Sequence, residues 1–258
     1  MKIKVDSVNF RETPRIEDGN ILAVLPLAHE VRVIDEREGQ QFCEVETIIN
    51  GQTRRGFVST KLLRSEESLL KEKLMEEAVK EWLFFRRGDA QEYENGLYQR
   101  VGTYWQELGE PLDGRDRDAP WSAAFISYVA KAAGYNDFPF SSGHARYICD
   151  AKRKRERDED GPYWLFRLNE HKPQLGDLIC GWRIRPRTFE TVTTPEIYRH
   201  KSDFFPSHTD VVVEISAGTA RTIGGNVDQS VCEKGFALTT DGYLKPGAKI
   251  FAIMRNNR

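Results

Sequence analysis

Through residue 64 the apolar positions come in short runs with a period close to two. Ile21-Leu22-Ala23-Val24-Leu25, Val31-Arg32-Val33-Ile34, Cys43-Glu44-Val45 and Gly56-Phe57-Val58 have the length and the β-branched or aromatic content of strands. Pro14, Asp18-Gly19-Asn20, Glu38-Gly39 and Asn50-Gly51 punctuate them. Asn-Gly between two such runs suits a two-residue hairpin turn, because both central positions take positive φ. About five short strands in so short a segment predict a small all-β barrel. At Ser65 the period becomes helical. Leu70, Leu74, Ala78 and Trp82 fall at four-residue steps, flanked by Leu69, Met75, Val79 and Leu83. Ser65 is a suitable cap for this helix, with Glu66 and Glu67 in its first turn.

Three more helices follow in the pattern. One carries Leu97, Val101, Tyr104, Trp105 and Leu108 and stops at Gly109. The next runs from about Pro120 to Ala133, ends at Gly134 and buries Phe125, Ile126 and Val129. The last covers roughly Gly143 to Lys154. Beyond Gly161 the signal is β again, at Leu178-Ile179-Cys180, Thr209 to Ile215, Thr219 to Ile223 and Lys249 to Met254. Helices first and strands later predict an α+β domain. The expected organisation is a barrel over 1–64 and an α+β domain over 65–258, with the helix at 65–88 also serving as connector. Residues Arg183 to Ser207 form a long polar connection of the kind that often carries function.

Composition narrows the classes. Of 258 residues, 39% are hydrophobic and 11% aromatic, enough for a core in each domain. A formal net charge of −2 argues against a general nucleic-acid binder, which needs a basic surplus. The run from Lys152 to Asp160 turns from basic to acidic and is read as a solvated helix end. No apolar stretch approaches a membrane span, so no membrane partner is expected. Met1-Lys2-Ile3-Lys4-Val5-Asp6 reaches an acid before any apolar run. The expectation is therefore a cytoplasmic protein as synthesised, any export using a non-classical route. Cys43, Cys149, Cys180 and Cys232 have no metal-like spacing, so free thiols, no metal and no cofactor are expected.

Two resemblances sharpen the picture. Val8-Asn9-Phe10-Arg11-Glu12-Thr13-Pro14, Val24-Leu25-Pro26, Val31-Arg32-Val33, Cys43-Glu44-Val45 and Gly56-Phe57-Val58-Ser59-Thr60-Lys61-Leu62-Leu63 follow the layout of bacterial SH3-type domains. Phe10 stands where Val is common in them, and Phe57 where Trp is common. The second segment resembles CHAP-type, papain-like peptidoglycan amidases. Ala119-Pro120-Trp121-Ser122-Ala123-Ala124-Phe125-Ile126-Ser127 looks like their W-C-A-A-F-V signature, with Ser122 in place of the nucleophilic Cys. Gly176-Asp177-Leu178-Ile179, Ser207-His208-Thr209-Asp210-Val211-Val212-Val213 and Gly224-Gly225-Asn226-Val227-Asp228-Gln229-Ser230-Val231 resemble three later blocks, in the same order. The serine version, followed by Ser142-Gly143-His144-Ala145 and Tyr147-Ile148, also looks like a bacterial family known only as a domain of unknown function. The implied fold is multi-domain, an N-terminal SH3-like barrel followed by an α+β papain-like domain.

The resemblance implies a nucleophile opening a helix, Ser122, and a base on a neighbouring strand, His208. Asn226 is the implied partner of that histidine, with Asp210 and Asp228 as carboxylate substitutes. His144 and Trp121 are further candidates, each with a plainer reading: a hydrogen-bonded structural histidine and a core aromatic. Ser122 itself has a plainer reading as an N-cap. Serine, unlike cysteine, has no resting anion and needs a well-oriented base during attack.

The leading expectation is an amide hydrolase acting on peptidoglycan-like peptides through a Ser-His site. In that case the partner is a peptide or wall fragment, which the SH3-like domain helps to hold. Two alternatives stand beside it: a non-catalytic peptide or wall binder on an amidase scaffold, and an intracellular protein whose SH3-like domain docks another protein.

Overall fold

The computed structural model describes residues 1–35, 39–192 and 205–258. Part of the Glu38-Gly39 turn and the middle of the Arg183–Ser207 connection lie outside the described residues. The chain forms two compact units, Met1–Glu72 and Lys73–Arg258. The division falls inside a helix, α1 (Leu69–Phe84), rather than at the change of pattern at Ser65. Ser68, not Ser65, precedes this helix: its carbonyl accepts the Glu72 N–H at 3.0 Å. Glu72 reaches back to accept the Glu67 N–H at 2.6 Å, which fixes the start three residues later than expected.

The first unit is built from β1 (Lys2–Ile3), β2 (Val8–Arg11), β3 (Ile21–Leu25), β4 (Arg32–Asp35), β5 (Phe42–Ile49), β6 (Gln52–Ser59) and β7 (Leu63–Arg64). Five of these form an antiparallel sheet in the order β3-β2-β6-β5-β4, and β1 pairs with β7. The β5–β6 hairpin turns at Asn50 (φ 50°) and Gly51 (φ 75°), as that residue pair requires. Ile3, Val8, Phe10, Leu25, Val31, Cys43, Val45 and Val58 make its core. Gly56 lets β6 lie against the Phe10 ring, since a Cβ there would stand 2.8 Å from two ring carbons.

The second unit adds α2 (Leu97–Gln106), α3 (Ser122–Ala133) and α4 (His144–Glu156), then β8 (Tyr163–Phe166), β9 (Leu178–Trp182), β10 (Ser207–Ser216), β11 (Thr219–Val227), β12 (Ser230–Ala237) and β13 (Ile250–Asn256). The strands form one antiparallel sheet, ordered β12-β11-β10-β9-β13-β8. Helices α3 and α4 pack on it, α3 over β10 and β11, α4 over β8 and β10. The architecture is thus a mixed α/β one, rich in sheet, with a β-rich N-terminal region. Among the described residues no helix is long and apolar enough to cross a membrane. All four cysteines are free.

Helix α3 is apolar nearly all round, the pattern of a buried helix. Ala123, Ala124, Phe125, Ile126, Val129, Ala130 and Ala133 are all buried. It stops at Gly134, whose φ of 98° is the left-handed conformation that closes a helix, its N–H bonding the Ala130 and Lys131 carbonyls. Contact with the sheet depends on Gly225 of β11. A Cβ there would lie 2.5 Å from Phe125 Cγ and 2.7 Å from the Trp121 ring, so only glycine lets strand and helix come this close. Trp121, 1% exposed, packs against Phe85, Tyr104 and Phe125, as its plainer reading has it.

Candidate functional site

Ser122 is the first residue of α3, and the cap position before it is Trp121, which makes no side-chain capping bond. The serine hydroxyl is therefore not spent on the helix end. It is hydrogen-bonded to Nε2 of His144 at 2.6 Å, with both residues buried. His144 is the first residue of α4, following Gly143 in extended conformation. Two helix N-termini thus meet over the sheet, one bringing a hydroxyl and the other an imidazole.

The other ring nitrogen of His144 is fixed by hydroxyls. Nδ1 lies 3.0 Å from Thr209 Oγ1 and also bonds the Tyr147 hydroxyl, and these two oxygens are 3.1 Å apart. With Nε2 accepting from Ser122, the Nδ1–H donates into this hydroxyl pair, which sets tautomer and ring plane without a carboxylate. Complete burial pushes the His144 pKa well below the ordinary imidazole value, and neighbouring His208 lowers it further. The imidazole is accordingly neutral in the resting protein, the form a general base needs.

His208, expected as the base for Ser122, bonds elsewhere. Its Nε2–H donates to Asp210 Oδ1 at 2.8 Å, while Nδ1 accepts from Arg183 Nη2 at 2.9 Å. The reason is strand parity. Residues two apart on β10 share a face, so His208 and Asp210 point together and Thr209, between them, points to α4. Lys234 of β12 completes the cluster, 3.2 and 3.3 Å from the two Asp210 oxygens. Burial alone would raise the Asp210 carboxyl, but His208 and Lys234 hold it well below the usual range. His208 is lowered by burial, against the pull of Asp210. The two imidazoles are neighbours, with ring centroids 5.3 Å apart.

These residues line two cavities. The first, about 520 Å³, is bounded by Ser122, His144, Asn226, Glu92, Arg117 and Arg183 among others. The second, about 410 Å³, includes His208, Asp210, Lys234 and Arg183. Asn226 therefore reaches the Ser122 cavity, but its side chain bonds neither histidine among the described residues. It has a φ of 52° and sits where the β11–β12 register shifts between Gly225 and Val227. Such a bulge re-aims a side chain. Asp228 is exposed in the following turn and lines neither cavity.

Each of these cavities is bounded entirely by one segment of the sequence, beginning at Glu92. The model of a family described as an uncharacterized protein conserved in bacteria, DUF2272, matches residues 92–256. The chain belongs to that family. No curated protein and no solved structure matches it. The DUF2272 segment holds every residue of the Ser122–His144 and His208–Asp210 constellations, and residues 1–91 lie outside it. Among the described residues of this DUF2272 protein, no three His, Cys, Asp or Glu side chains converge as metal ligands would.

The same geometry sets an acid limit on stability. His144 and His208 both have pKa values below 6.5 in the folded protein. Between those lowered values and 6.5 the unfolded chain binds more protons, so stability falls as pH falls through that window. Chemical denaturation at pH 7.5 and 5.5 should show the midpoint dropping. In His144→Gln the drop should be smaller, whereas an unchanged drop would place the titration elsewhere.

Proposed function

We propose that this protein is a serine-dependent hydrolase of amide bonds in peptidoglycan-like peptides, with Ser122 as nucleophile and His144 as base. The observation that carries the reading is the 2.6 Å Ser122 Oγ–His144 Nε2 contact at the head of α3, opening onto a cavity. His144 takes the serine proton as Oγ attacks the acyl carbon, then delivers it to the departing amine. Water, deprotonated by the same nitrogen, releases the acyl group. Burial and His208, with Arg183 and Lys234, outweigh the favourable field of Asp210, so the His144 imidazolium forms only in passing.

The oxyanion needs donors. First-turn N–H groups of α3 have no intrahelical acceptors, and they point out of the helix start where Ser122 stands. The Asn226 amide, free of other bonds among the described residues, is the second donor in this reading. That assigns Asn226 to the oxyanion rather than to a histidine.

A nucleophile-bearing helix against an antiparallel sheet is the layout of the papain-like amidases that the sequence resembles. This chain departs from them in drawing its base from a helix start, α4, rather than from the strand. The first unit is read as an SH3-type wall-peptide binder, and its own cavity of about 430 Å³, lined by Asp6, Asn9, Arg11 and Phe42 among others, suits a peptide. Incubation with purified peptidoglycan followed by mass spectrometry tests the activity. Fragments bearing one new amine and one new carboxyl are expected. No release, or release that survives Ser122→Ala, would contradict it.

A further inference from the structure

Glu92 is a buried carboxylate that the mechanism above does not use. It is 4% exposed, yet it lines the same cavity as Ser122 and His144. Its position is built, not incidental. The Glu92 N–H donates to the Gln229 carbonyl at 2.7 Å, and Oε2 accepts from the indole N–H of Trp121, the residue next to the nucleophile. Gly114 packs on its backbone so closely that a Cβ there would stand 2.3 Å from the Glu92 carbonyl oxygen.

The second carboxylate oxygen is different. Oε1 has no hydrogen-bond partner among the described residues, and it is not among the side-chain atoms sealed from solvent without one. In a side chain so nearly buried, the access left to that oxygen is through the cavity Glu92 lines. A buried carboxylate with one unused oxygen is unfavourable unless something charged or strongly donating completes it. No described side chain of the cavity bonds it. Arg183 is engaged with His208, and the exposed Arg117 guanidinium lies over the Tyr93 ring, 5.7 Å from its centroid.

We propose that Glu92 is a specificity residue that binds a free ammonium group on the substrate, next to the bond that Ser122 attacks. This deepens the reading of the site as an amide hydrolase and rests on it for the identity of the nucleophile. The substrate class becomes acyl compounds with an unblocked amine, such as the free N-terminus of a wall peptide. Burial raises the Glu92 carboxyl while the Trp121 bond and Arg117 lower it, and an incoming ammonium strengthens the lowering side. The charge-assisted bond, formed in a site shielded from water, has the strength to discriminate about tenfold or more.

The test measures binding, so its failure is distinguishable from failure of the serine mechanism. Calorimetry with the Ser122→Ala protein would compare the dipeptide L-alanyl-γ-D-glutamate with its N-acetyl derivative. The free amine should bind at least about tenfold more tightly. Adding Glu92→Gln, which keeps the shape and can still meet the indole, should remove that preference, and Glu92→Asp should keep part of it. Equal affinity for the two dipeptides, no binding of either, or a preference that persists in Glu92→Gln would overturn the proposal. None of these outcomes bears on whether Ser122 is a nucleophile.

Discussion

Ser122→Ala should lower peptidoglycan-peptide hydrolysis by on the order of 10⁴-fold or more, because it removes the atom that accepts the acyl group in the proposed mechanism. Binding should survive, since the cavity walls are otherwise intact. The stability effect is a separate quantity. Ser122 does not cap α3, so no capping energy is lost, but Nε2 of His144 is left buried without its partner. That costs about 1–3 kcal/mol, visible as a lower denaturation midpoint in a protein that still folds. Ser122→Cys separates the chemistry further. It places a thiol at a helix N-terminus, a setting that favours the thiolate. Iodoacetamide should alkylate the introduced thiol before the buried Cys43, Cys149 and Cys180. Equal or slower alkylation would show that the helix start does not stabilise an anion there.

The second large effect separates the two histidines. His144→Ala should be as damaging as Ser122→Ala, and the double variant hardly worse, since the pair acts as a unit in the proposed mechanism. His208→Gln should stay within about tenfold of the parent. Glutamine keeps a donor for Asp210 and an acceptor for Arg183, and the ring it replaces is not hydrogen-bonded to Ser122. Steady-state rates on one released-amine assay decide it. A loss in His208→Gln equal to that in His144→Ala would return the base to the strand.

Much of this was legible in the chain. The helical stripe and the Gly134 stop mark α3 within two residues, and the Ser122 head follows from them. Asn50-Gly51 marks the β5–β6 hairpin because only a few residue types accept its backbone. What escaped has physical causes. Strand β12 carries Glu233, Lys234 and Gly235 amid its apolar residues, so it shows no clean period, and β8 is only four residues long. All five residues of β3 are apolar, yet Ile21, Leu22 and Val24 are exposed, and β3 is an edge strand of its sheet.

The pairing of Ser122 with His144 rather than His208 depends on which face of β10 meets α4. Strand parity alone says that His208 and Thr209 point oppositely. It does not say which of them faces the helices, and only the packing of α4 decides in favour of Thr209. Nothing in the sequence therefore marks Thr209 and Tyr147 as partners of His144, although Tyr147 lies one helical turn beyond it. Glu92 gave no signal at all, because its significance comes from burial and from an oxygen left without a partner.

The central claim is that Ser122 is a nucleophile activated by His144, and labelling with a fluorophosphonate tests it most directly. Such a reagent phosphonylates a serine only where a base and oxyanion donors are assembled around it. After tryptic digestion, the segment 118–131 holds both Ser122 and Ser127. The account predicts one adduct per chain, placed on Ser122 by fragmentation and absent from His144→Ala. No adduct, an adduct on Ser127 or another serine, or undiminished labelling of His144→Ala would contradict it.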